Sequence, residues 1–277
     1  ISACLVGSEM CIRDRAKHAL TLGQLDLVER YAREVTRYAQ LTGRQAQAEA
    51  YSLLGNVYYE REKPQQAEKY YRDAMEQFAA ASNTEMVALQ LAAIGQVLLS
   101  QGRFSSAAEA LRLAVVRAPG DLVIRVTYAE ALWRLGHARA AIAELTFALS
   151  IDGSDAPALR ARGEILADLE KSEDALRDLD RVASSGSVRV AAARGLALAG
   201  LGDYRAARRV AEKIATDGSS NGLVLLYAAR TLGLCGDDPG AADLARQAAD
   251  ATDPPLDSPH QAIARRLIDH GRRQRPL

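Results

Sequence analysis

LAAIGQVLLSQGRFSSAAEALRLAVVRAP, residues 91–119, is the stretch on which the reading of this chain turns. Its first half holds a small residue, Gly95, with the large apolar Leu98 three positions later. Gly102 then interrupts the helical pattern, and a second helical segment presents Ala107, Leu111 and Ala114 before Pro119 ends it. This is two helices joined by a tight turn. Gly95 on the first helix and Ala107 and Ala114 on the second let the two backbones lie close together. Leu111 fills the space beside that contact, and Gly102 supplies the left-handed conformation that ends the first helix.

Working outward, the same unit recurs in both directions. Copies begin at Tyr51 (YSLLGNVYYEREKPQQAEKYYRDAMEQF), Arg125 (RVTYAEALWRLGHARAAIAELTFALSID), Leu159, Ala191 and Leu225. The mid-helix small residue is Gly55, Gly95, Ala129, Gly163, Gly195 and Ala229, followed three residues on by Tyr58, Leu98, Leu132, Leu166, Leu198 and Leu232. The second helices present Ala67, Ala107, Ala141, Ala175, Ala207 and Ala241, with Tyr71, Leu111, Leu145 and Leu179 as the large neighbours. Turn glycines stand at Gly102, Gly136, Gly202 and Gly236. A degenerate first copy places Ala16, Gly23, Val28 and Val35 in register, which makes seven helix pairs. Repetition on this scale is the signature of a stacked helical array. The period is uneven: Gly55 to Gly95 is 40 residues, Gly163 to Gly195 is 32, and the remaining intervals are 34, so the early units carry longer helices or loops.

The spacing in Gly55–Ala67–Ala74, Gly95–Ala107–Ala114 and Ala129–Ala141–Ala148 resembles the tetratricopeptide repeat family, from Ala16 to about Asp253. The resemblance implies an all-α, right-handed α-solenoid of about seven repeats, with the first helix of each pair lining a concave groove. Family positions facing that groove map to Asn56, Tyr59, Glu60, Gln96, Ser100, Glu130, Trp133, Arg134, Arg160, Glu164 and Asp168, and further to Arg189 and Arg230. Trp133 is the sole tryptophan, an anchor for a ligand or a wedge between repeats. The chaperone-binding members clamp a C-terminal carboxylate with a lysine followed four residues later by an asparagine. Here Ser52 precedes Asn56 and Val126 precedes Glu130, so that clamp is missing. Beyond the array, Ser258-Pro259 reads as a cap and first-turn proline, and a short helix of about His260–Asp269 is expected to cover the end of the stack, with a frayed HGRRQRPL tail.

The N-terminal ISACLVGSEMCIRDR is a different matter. Ile1–Cys4 looks like a lipobox with nothing upstream, and Cys4 and Cys11 lack zinc-ligand spacing. Leu5–Asp14, LVGSEMCIRD, resembles a translated transposase sequencing adapter in ten consecutive residues. Residues 1–15 are therefore expected to be non-native, with a repeat array over 16–253 and a capping helix and basic tail over 254–277. On that reading Cys235 is the one authentic cysteine. No localisation signal is legible; a cytoplasmic setting is the default expectation.

Composition narrows the class of function. Lys plus Arg and Asp plus Glu are 35 each, so no global field draws the chain to nucleic acid. GLVLLYAA at 222–229 is too short to span a bilayer. The histidines His18, His137, His260 and His270 form no HExxH motif, Lys171-Ser172 has no glycine-rich loop before it, and Gly200-Leu201-Gly202 follows no strand. Glu173-Asp174 and Asp237-Asp238 open second helices, where acids suit the helix dipole. Cys235 has no basic neighbour in sequence to activate it. The expectation is a non-enzymatic scaffold without catalytic residue, metal or cofactor, whose partner is a protein or peptide. Two alternatives remain open: the interaction region of a larger signalling enzyme or transcription regulator, and an architectural spacer in an envelope or secretion assembly.

Overall fold

The structure, a computed structural model, describes residues 18–19, 22–37, 39–252 and 256–273. The adapter-like segment, with Cys4 and Cys11, lies outside the described residues. These form fourteen α-helices, one 3-10 helix and no strand, in two units, residues 1–131 and 132–277.

The N-terminal unit contains α1 (Leu25–Arg37), α2 (Ala39–Glu60, bent at Gly43 with φ 75°), α3 (Pro64–Ala80), α4 (Thr84–Ser100), α5 (Phe104–Arg117) and most of α6 (Leu122–Arg134). Val28, Ala32 and Val35 of α1 pack on Leu53, Leu54 and Val57 of α2, which confirms the first, degenerate copy at the positions described. The close approach expected from the small residues is met. A Cβ on Gly55 would fall 2.4 Å from the Tyr71 ring, and one on Gly95 would fall 2.5 Å from Leu111. The long interval after Gly55 resides in helix length: α3 and α4 have 17 residues each, against 13 or 14 for α5 through α8. Asn83 caps α4 by accepting from the Met86 N–H at 3.1 Å. Glu29 of α1 accepts from Arg33 and from the Tyr58 hydroxyl (2.9 Å), and pairs with Arg61. Burial pushes the Glu29 carboxyl up, but these donors bring it down to about 2, so it stays ionised and ties α1 to α2.

The C-terminal unit runs from the last turn of α6 through α7 (Ala138–Ile151), α8 (Ala156–Asp168), α9 (Ser172–Leu179), the 3-10 turn Asp180–Ser185, α10 (Val188–Gly200), α11 (Tyr204–Asp217), α12 (Gly222–Leu234), α13 (Asp238–Asp250) and α14 (Ser258–Arg273). Side-chain caps open most of them: Asp155 for α8, Ser187 for α10, Asp203 for α11, Asn221 for α12 and Asp237 for α13. Gly163 repeats the close approach, its Cβ position 2.6 Å from Leu179. The 32-residue interval has a structural counterpart in α9, which has only eight residues before the chain tightens into the 3-10 turn.

The inter-helix turn shows a regularity the glycines only partly betrayed. Seven residues after each mid-helix small residue, φ is positive: Gly102 (71°), Gly136 (82°), Gly202 (85°) and Gly236 (79°), but also Glu62 (55°) and Glu170 (61°). Two L-residues thus hold a conformation that disfavours them, because the pairing of the flanking helices dictates it.

The C-terminal helix departs from expectation in two ways. Asp257, not Ser258, is its cap, accepting from the His260 N–H at 3.0 Å. The helix also runs on to Arg273, so His270–Arg273 of the expected frayed tail are helical, and Gly271 lets α14 approach Ala242 of α13 closely. Among the described residues no helix is long and apolar enough to cross a membrane.

Candidate functional site

In the N-terminal unit the expected groove positions are mostly accessible. Glu60, Gln96 and Ser100 are exposed, and Asn56, Tyr59 and Glu130 are half-buried. Asn56 accepts from the Tyr71 hydroxyl at 2.7 Å, tying it to the ring that fills the space beside Gly55, and Ser100 donates to the Val97 carbonyl of its own helix at 2.8 Å.

The C-terminal unit is different. Trp133 and Glu164 are only 5% and 1% exposed, so they are packed rather than solvated. The residues that pack on them come from every first helix of the unit and from the segment after α13. Glu164 of α8 pairs with Arg189 of α10 at 2.7 Å, and the Tyr227 hydroxyl of α12 donates to the Glu164 carbonyl at 3.4 Å. Asp168 of α8 receives Arg230 of α12 at 2.6 Å. Arg230 reaches past the intervening α10, which carries a buried Leu196 and a side-chain-free Gly200 on this side. Arg160, further back on α8, is half-buried.

Into this ring of arginines and carboxylates the chain inserts its own Asp257 and His260. Arg134 approaches one Asp257 oxygen at 3.5 Å, and His260 Nδ1 lies 2.5 Å from the other. His260 Nε2 lies 3.4 Å from Asp168, and the imidazole meets the Trp133 indole edge-on, centroids 5.5 Å apart at 89°. Burial disfavours charge on this 3%-exposed ring, but the facing carboxylates of Asp168 and Asp257 more than offset it and hold the pKa at about 9. Burial likewise pushes Asp168 and Asp257 up, and the neighbouring imidazolium, with Arg230 and Arg134 respectively, brings both below the ordinary carboxylate range. His260 is therefore a buried cation between two anions at neutral pH.

Sequence reasoning placed His260 in an end cap and did not connect it with Trp133, Arg134 or Asp168. The signal that existed was the opposite sign of the charges on successive first helices, Glu164 and Asp168 on α8 against Arg189 on α10 and Arg230 on α12. Alongside these groups a cavity of about 820 Å³ remains, bounded by α8, α10, α12 and α14. Cys235 is half-buried at the end of α12; burial pushes its thiol up, and Arg208, unforeseen, donates to its carbonyl at 2.7 Å. Among the described residues no cluster of His, Cys, Asp or Glu has the arrangement of a metal site.

Two family models, both described as tetratricopeptide repeat, match residues 46–119 and 98–165, over the helix pairs whose Gly–Tyr and Gly–Leu contacts were measured above. The chain carries tetratricopeptide repeats. The expected all-α repeat architecture is the observed one, and the remaining helix pairs continue the same register on either side of the matched region. A tetratricopeptide array is a scaffold for protein interaction, and that is the class of function the family supports. Solved structures agree on the fold. A tetratricopeptide repeat protein from Parabacteroides merdae is similar with a TM-score of 0.58 at 15% identity, over 81% of this chain and 98% of that one. PilF of Pseudomonas aeruginosa gives 0.56 at 20% identity, over 80% and 99%. A chain of the APC/C Cut9–Hcn1 hetero-tetramer gives 0.66 at 14% identity, over 90% of this chain and 45% of that one. No curated protein matches in sequence.

Proposed function

We propose that this tetratricopeptide-repeat protein is a non-catalytic scaffold that holds a polypeptide segment against the first-helix face of its repeats. The observation that carries this reading is intramolecular. The first-helix face of the C-terminal unit already receives a polypeptide segment, residues 256–260 of the same chain, through Arg134, Asp168 and the edge of Trp133. The chemistry is that of peptide recognition: an arginine for a carboxylate, a carboxylate for a cation, and an aromatic wall. In the N-terminal unit, Asn56, Tyr59, Glu60, Gln96 and Ser100 offer polar and aromatic groups for a second stretch of ligand. The Cut9–Hcn1 structure, an assembly of two different proteins by its description, supports the same class of role for this fold.

The test vacates the face. In the full chain carrying Asp257→Ala and His260→Ala, a synthetic peptide with the sequence of residues 256–273 is titrated while the Trp133 emission is followed. Saturable binding that is lost when the peptide's aspartate is replaced, or when Arg134→Ala is added to the chain, supports the reading. Binding indifferent to both changes, or no binding to a vacated chain that keeps its helical circular dichroism, refutes it.

A further inference from the structure

The repeats differ in the length of their second helices. In the N-terminal unit α3 continues for two turns past Tyr71, and Phe78 in its last turns is buried against Val87 and Leu91 of α4. Twenty-three residues separate Gly55 from Phe78; the same count from Gly163 arrives at Gly186, where the helix has already ended and φ is 68°. The helical turn and the aromatic side chain of the first position have no counterpart at the second, and an open groove of about 600 Å³ lies between α10 and α11.

The walls of that groove are chemically distinct. Val188, 54% exposed, and Ala191, Leu198 and Val210, half-buried, line its floor. Cations stand along its rim: Arg194, which pairs with Asp180 at 2.7 Å, and the exposed Arg209 and Lys213 of α11. Asp217 is the one acid among the lining side chains. An apolar floor between two helices with a cationic rim fits a helix whose apolar stripe is flanked by carboxylates. A basic helix would meet like charge along the same rim.

We propose that the α10–α11 groove docks an acidic amphipathic helix of a partner protein. It is a second interaction surface, separate from the first-helix face and independent of it. The helix lays two or three turns of leucine-like side chains onto Val188, Ala191, Leu198 and Val210. Its flanking glutamates or aspartates pair with Arg209 and Lys213, and the rim charges set its selectivity and association rate more than its total affinity.

The test uses the full chain and a labelled 16-residue designed helical peptide carrying leucines at three- and four-residue spacing with glutamate flanks, beside an isomer with lysine flanks. Fluorescence anisotropy reads binding at low and high salt. The proposal expects the acidic peptide to bind, the lysine isomer to bind at least about tenfold more weakly, and the double substitution Arg209→Glu/Lys213→Glu to reverse that order. Ala191→Trp, which fills the floor without touching the rim, should abolish binding of both peptides while helical circular dichroism is retained. Asp257→Ala, which loosens the first-helix face, should leave the dissociation constant unchanged. Equal binding of the two isomers, an unaltered preference after charge reversal, or an affinity that follows Asp257→Ala instead would overturn the proposal. So would a concentration-dependent dimer of the chain alone that disappears in the Arg209→Glu/Lys213→Glu variant, which would assign the groove to a second copy.

Discussion

His260 makes the docking of the C-terminal helix dependent on pH, and the sign follows from its surroundings. The ring's pKa is about 9 in the folded chain against an unperturbed 6.5. A group whose pKa is raised on folding contributes stability that is fully present below the unfolded value and is lost as pH climbs through the folded one. The window is therefore pH 6.5 to 9, and loss is on the alkaline side. At 1.36 kcal/mol per unit the contribution is about 3 kcal/mol at most. The groups around the ring are Asp168 from α8 and Asp257 from its own cap, which raise it against the effect of burial, and Arg134 and Arg230, which pair with the same carboxylates. Trp133 is the only tryptophan in the chain and touches the imidazole, so its emission reports this one contact. A charged imidazole quenches indole more strongly than a neutral one, so emission of the native chain should increase with a midpoint near pH 9. Urea unfolding followed at the same wavelength should show the native chain more stable than His260→Gln at pH 6, with the difference shrinking by about 3 kcal/mol by pH 9.5. A midpoint near 6.5, or a difference that does not vary with pH, would refute the reasoning that the two carboxylates hold a buried cation.

The repeat geometry makes further predictions. Glu62→Gly should raise stability by about 1 kcal/mol, seen as a higher urea midpoint, because glycine relieves a left-handed residue at the position where four other copies already have it; an unchanged or lower midpoint would mean the glutamate is not strained. Gly95→Ala should cost about 1–3 kcal/mol, since its Cβ would lie 2.5 Å from Leu111, while Gly120→Ala, with nothing within 4 Å, should stay within about 0.5 kcal/mol of the parent. Arg162→Met should cost about 3 kcal/mol by stranding the buried Asp178, which it now holds through two bonds of 2.6 and 2.8 Å, and Arg162→Met/Asp178→Leu should recover most of that loss. If the double variant is as unstable as the single one, the pair contributes through packing and not through charge compensation.

The repeat register was legible because it rests on volume. Gly55 faces Tyr71, Gly95 faces Leu111 and Gly163 faces Leu179, and a missing side chain opposite a large one is visible in the letters themselves. The turn was legible only where glycine announced it. At Glu62 and Glu170 the flanking helices impose the left-handed conformation on a residue that does not advertise it, a tertiary override of local preference. The environment of the positions expected to face a groove in the C-terminal unit was not legible. Glu164, Asp168, Arg189 and Arg230 read one at a time as a solvated face, and their burial comes from pairing across repeats and from a segment that enters more than a hundred residues after Trp133.

That last point bears on how the array uses its surfaces. A tetratricopeptide stack exposes first-helix positions by construction, and polar residues there are ordinarily in water. Here five charges of both signs, taken from four first helices, are neutralised among themselves and by Asp257 and His260. Under the proposed function an incoming ligand would have to replace bonds already made, and only the difference between its contacts and those of residues 256–260 would appear as affinity. A partner that offers a carboxylate to Arg134 and a cation to Asp168 competes on equal terms. A partner that offers only apolar surface leaves those buried charges without partners and is rejected. Under the proposed function the segment that covers these residues would thereby also set the chemistry of whatever displaces it.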